Sequence, residues 1–106
     1  MHAALATVSI SDYEKARRVL HDDVLPTVSD IAGFVSGVWL APVDGKGVEI
    51  LIFETEDEAR AMAAQLPAGR EVNEFVTVES VEIREVAGRV HAIDDVPQQM
   101  TPESER

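Results

Sequence analysis

The six residues Val48 to Phe53 limit the fold of this chain more tightly than any other segment. In an extended conformation Val48, Ile50 and Ile52 share one face, while Leu51 and Phe53 share the other. Side chains alternate across a strand, so a segment that is apolar on both faces over most of its length belongs at the centre of a sheet that is covered twice. Any architecture for the chain has to supply both covers.

The flanking segments say what those covers are. Ala4 to Ile10 alternates, with Ala4, Ala6, Val8 and Ile10 on one side, and reads as a first strand. Ser11-Asp12-Tyr13-Glu14 has capping-box spacing, with Ser11 as the expected cap of a first helix. Tyr13, Ala16, Leu20 and Val24 then form its inward stripe. Pro26 cannot donate into a helical ladder, so the helix is expected to kink there and restart over Thr27 to Ile31. Phe34 to Leu40 is a second strand, and Pro42, Asp44-Gly45 and Gly47 supply a hairpin turn into Val48–Phe53. Thr55-Glu56-Asp57-Glu58 opens a second helix with inward residues Ala59, Met62, Ala63 and Leu66, stopped by Pro67 and Gly69. Phe75 to Val86 is the last strand. Its alternation slips between Val78 and Val81, which predicts a bulge near Glu79-Ser80.

The order β-α-β-β-α-β predicts an α+β, ferredoxin-like fold: a four-stranded antiparallel sheet with the first and third strands central and both helices on one face. Two helices cover only one face of such a sheet. Leu51, Phe53 and their neighbours are expected on the uncovered one, an apolar patch of several hundred square ångströms that soluble monomers seldom carry. A homodimer packed through that open sheet face is therefore expected.

Composition narrows the function. The 106 residues fit one domain, assigned to residues 1–90, followed by an acidic tail over 91–106 that holds two prolines and is expected to be mobile. With 9 Lys+Arg against 20 Asp+Glu, the net charge of −11 opposes nucleic acid and anionic membrane partners. There is no cysteine, and hence no disulfide, thiolate metal site or sulfur nucleophile. The first ten residues lack Lys and Arg and do not read as a signal peptide, so a cytoplasmic protein is expected.

Three stretches carry a family resemblance: the first strand with its long helix, Gly33-Phe34-Val35-Ser36-Gly37-Val38-Trp39, and Ile52-Phe53-Glu54-Thr55-Glu56-Asp57-Glu58-Ala59. Over about residues 3–88 the chain resembles the dimeric α+β barrel superfamily, in particular its antibiotic biosynthesis monooxygenase-like (ABM-like) branch. The resemblance implies paired sheets and a small pocket in each protomer between helices and sheet. Some relatives oxidise aromatic or quinol substrates without a metal or prosthetic group, and others degrade haem.

The resemblance implies a pocket built from Trp39, Tyr13 and Phe53. Trp39 offers a flat stacking face and an indole N–H, or else packs in the core or at the dimer interface. Phe53 stands where related enzymes commonly carry another tryptophan, and a phenyl packs without donating. Tyr13 either presents its phenol to the pocket or fills the core with its hydroxyl at the rim. The haem-degrading branch places an iron-ligating histidine on the second helix. Thr55 to Leu66 contains none, and no cofactor is expected. His21-Asp22-Asp23 looks metal-like in one dimension, but adjacent helical positions point about 100° apart, so a solvated face and no metal site are expected. His2 and His91 are terminal and are given no role, and Arg84 and Arg89 are expected to pair with Glu82 or Glu85. The resulting reading is a protein that binds a small aromatic or hydrophobic molecule without a visible catalytic constellation. The alternative is a cofactor-independent monooxygenase acting on an aromatic or quinol substrate.

Overall fold

Lys46–Phe53 forms β3 in a computed structural model that describes residues 1–90 and 92, and it is flanked on both sides. One neighbour is β1 (His2–Ile10), the other β2 (Phe34–Val43), both antiparallel. The doubly apolar strand is thus central. The tail expected over 91–106 and His91 lie outside the described residues, apart from Ala92.

Between β1 and β2 runs a bent helical arm: α1 (Tyr13–Val19), a π-helical turn over Leu20–Val24, and α2 (Leu25–Val28). Pro26 follows the π-turn, and the restarted helix ends at Val28 rather than at the expected Ile31. The proline has no N–H to give and its ring crowds the carbonyl four residues back, and beside it Leu25 N–H donates to the Leu20 carbonyl. The Thr27 hydroxyl donates back to the Asp23 and Val24 carbonyls, each at 3.2 Å. The cap of α1 is Asp12, which accepts from Lys15 N–H at 3.2 Å, rather than the expected Ser11. Ser11 is tied to the sheet, its N–H donating to the Phe75 carbonyl at 2.9 Å.

Asp44 (φ 52°) and Gly45 (φ 76°) turn β2 into β3 with two left-handed residues, the geometry that matches strand twist. After β3, Thr55 caps α3 (Glu56–Ala64). Thr55 Oγ1 accepts from Glu58 N–H, and Glu58 Oε1 accepts from Thr55 N–H, both at 3.2 Å, completing the expected capping box.

The sheet has five strands rather than the expected four, in the order β2-β3-β1-β5-β4. The extra one, β4 (Glu71–Asn73), pairs with the edge of β5 (Val76–Glu85). Asn73 Oδ1 accepts from Phe75 N–H at 2.8 Å to hold the turn. Three residues are too few for an alternation to show in the sequence. The predicted slip in β5 is present. Thr7 opposes Ser80 and Val8 opposes Val78, leaving Glu79 as the extra residue. The bulge puts Val76, Val78, Val81 and Ile83 on one face, and the Glu79 carboxylate accepts from the Ser9 hydroxyl and the Lys46 ammonium.

One expectation about the faces is reversed. Leu51 (4% exposed) and Phe53 (0%) turn toward the helices and pack against Ala59 of α3. Periodicity says which residues share a face, not which face the helices cover. The uncovered face instead carries Leu5, Val38, Ile50 and Ile52, aligned across β1, β2 and β3. No helix among the described residues is long and apolar enough to cross a membrane.

Candidate functional site

The covered face of the sheet is lined by small residues. Ala4, Ala6, Ala16 and Ala59 are all buried, and Ala16 borders open space. The buried core splits into two clusters. One holds Val8, Ala16, Val76 and Val78, and the other Leu51, Phe53 and Ala59. Domains of this size ordinarily have one contiguous core. Here a cavity of about 250 Å³ lies between sheet and helical arm, with walls drawn from both clusters.

The bent arm supplies Tyr13, Ala16, Leu20, Val24 and Val28, α3 supplies Met62, and the sheet supplies Val8, Trp39, Glu49 and Leu51. Of the three expected pocket residues, Trp39 and Tyr13 are on the wall. Trp39 also packs against the Leu51–Phe53–Ala59 cluster, so the same side chain lines the cavity and fills the core. Gly37 makes this possible, because a Cβ there would lie 3.0 Å from the Trp39 ring and 3.1 Å from Leu51 Cδ2. Tyr13 is 44% exposed and sits at the rim. Phe53 is not on the wall. It is fully buried, edge-on to Phe34 with ring centroids 5.9 Å apart.

Glu49 and His21 also line the cavity, and neither was expected there. Glu49 shares the parity of Leu51 and Phe53 and opposes Trp39 on β2 and Ala6 on β1, so it is a carboxylate on the core face. That parity is visible in the sequence once the covered face is known. His21 lies four residues beyond Arg17 and eight beyond Tyr13, and all three line the cavity. The adjacent Asp22 and Asp23 border a separate groove with Lys15, Arg18 and Phe75, so the three residues do not converge. Among the described residues no group of three or more His, Cys, Asp or Glu could hold a metal ion. Arg84 pairs with Glu82 at 3.2 Å.

Burial pushes the Glu49 carboxyl above its ordinary value of 4.5. Its charged form is therefore disfavoured by folding, a cost absent below pH 4.5 that grows as pH rises through the raised value. Glu49→Gln is expected to be more stable than the wild type at pH 7 and indistinguishable from it at low pH, as measured by urea midpoints. Glu56 and Glu79 shift the opposite way. Hydrogen bonds from Arg60 to Glu56, and from Lys46 and Ser9 to Glu79, hold both carboxyls low, and their contributions fade as pH falls through those lowered values.

No protein-family profile and no curated protein matches the chain. Among solved structures it is similar to an arginine-to-serine mutant of MhuD with two manganese protoporphyrin IX molecules bound per active site. The TM-score is 0.61 and the identity 18%, over 87% of this chain and 100% of that one. A second is MhuD, a haem degrader from Mycobacterium tuberculosis with two haems in its active site, at TM-score 0.49 and 22% identity, over 83% and 99% of the two chains. At such identities the likeness is one of fold.

Proposed function

We propose that this chain binds a small, flat, mostly apolar molecule in the cavity, with Trp39 as the stacking surface and the Tyr13 phenol as a hydrogen-bonding group at the rim. The observation that carries this reading is the divided core, since a protein of this size gives up packing at its centre. Trp39 is the sole tryptophan, so its emission reports the cavity directly. Titration with naphthylmethanol is expected to quench it saturably. Ala16→Leu, which fills the cavity, is expected to weaken binding by about tenfold or more. A linear, unsaturable response would overturn the reading.

Two copies are proposed to pair through the uncovered sheet face. Support comes from Leu5, Ile50 and Ile52 aligned there beside Val38, which is 49% exposed. Sedimentation at micromolar concentration is expected to give twice 11.6 kDa, and Ile50→Lys the single-chain mass. A wild-type particle of 11.6 kDa would remove this part of the proposal.

Turnover is the second reading: an ABM-like, cofactor-independent monooxygenase acting on an aromatic or quinol substrate. It is favoured by Trp39 and Tyr13 both lining one cavity and by the fold shared with MhuD, whose active site holds manganese protoporphyrin IX. Oxygen uptake with hydroquinone that disappears in Trp39→Ala is its test. Haem does not fit this cavity in the manner the resemblance implies. α3 has no histidine, and the cavity-lining His21 is an exposed residue of the helical arm.

A further inference from the structure

We propose that the cavity selects ligands carrying a positive charge, a protonated amine on an apolar body, with Glu49 as counter-ion and Trp39 as the aromatic face beside it. This rests on the cavity being a binding site and adds the chemical class of what it binds. Glu49 lies on the covered face of β3, directly across from Trp39, in a cavity whose sheet wall is otherwise apolar apart from Asn73. Among the described residues no Lys, Arg or His nitrogen lies within 4.0 Å of its carboxylate, and no side-chain hydrogen bond reaches it. An uncompensated carboxylate on an apolar wall is costly to keep, and a ligand cation is the partner that offsets the cost best. The raised Glu49 pKa agrees with a carboxylate lacking such a partner.

Trp39 supplies the second half of the site. Its ring lies over Gly37, where a Cβ would come within 3.0 Å of it, and Trp39 is the strand partner of Glu49. Aromatic face and carboxylate together attract a cation through two independent terms, ion pairing and the ring quadrupole. The other titratable groups on the wall are Tyr13, Arg17 and His21, all exposed on the helical arm where solvent and salt screen them. An anion would have to approach Glu49 and a chain of net charge −11.

The test is calorimetric titration of the full chain at about 0.15 M salt with three probes of one shape: naphthylmethylamine, naphthylmethanol and naphthylacetate. The wild type is expected to bind the amine about tenfold or more tighter than the alcohol, and the acid weakest. In Glu49→Gln the amine should fall to the level of the alcohol while alcohol binding, which reports an intact cavity, stays unchanged. Glu82→Gln makes the same change in net charge on the far face of the sheet and is expected to keep the amine preference. Equal binding of amine and alcohol by the wild type, tighter binding of the acid, or a preference that survives Glu49→Gln would overturn the inference and leave the cavity reading standing. Failure of the wild type to bind any of the three would overturn both.

Discussion

Phe53→Ala is expected to lower the free energy of unfolding by about 3–5 kcal/mol, the cost of emptying a fully buried aromatic site. Against a total of roughly 5–15 kcal/mol for a domain, that is a large fraction. The phenyl ring has no exposed surface, meets Phe34 edge-on at 78°, and packs on Ala59, which has no side chain able to relax into the void. A fall of about 15 °C or more in the thermal midpoint should follow. The same measurement separates the two roles assigned to this residue. A pocket-lining Phe53 would leave the midpoint near that of the wild type and change ligand binding instead.

Gly33→Ala is expected to cost about 2–3 kcal/mol, from a left-handed backbone and a lost helix cap together. Gly33 has φ 76°, which an alanine adopts only under strain. A Cβ at this position would also overlap the Glu58 carboxylate, the group that closes the capping box of α3 by accepting from Thr55 N–H. Moving Glu58 aside relieves the overlap and breaks the box. Thr55→Ala removes the same cap without backbone strain and should cost about 1 kcal/mol. In the double variant the two losses should fall short of additive, because the cap is lost once only. Urea midpoints of the four proteins measure this. Strict additivity would mean that Glu58 keeps its bond when Gly33 gains a methyl group.

Much of the fold was legible in local pattern. The doubly apolar Val48–Phe53 strand is central, the capping box at Thr55 is formed, and the parity slip in the last strand is a bulge at Glu79. Each depends on alternation or on hydrogen bonds within a few residues. What was missed depends on partners far away in sequence. β4 is a strand only because β5 lies beside it, and Asp12 caps α1 because Ser11 is drawn to the Phe75 carbonyl. For the site, the resemblance pointed to Trp39, Tyr13 and Phe53, of which Trp39 and Tyr13 line the cavity and Phe53 does not. Glu49 was not legible, because an acidic residue in a strand of unknown facing looks like one more surface charge.

The sequence by itself determined which residues share a face, where α3 begins, and that the β3 segment is central in its sheet, since spacing along one chain carries all of that. It could not determine which face the helices take, because parity is symmetric between the two sides of a sheet. That choice, made only in the tertiary structure, put Phe53 in the core, Glu49 on a cavity wall, and Ile50 and Ile52 on the open face. The cavity is likewise a tertiary property. Ala16, Trp39, Met62 and Val76 are far apart in sequence, and they enclose a space only when the helical arm, α3 and the sheet come together.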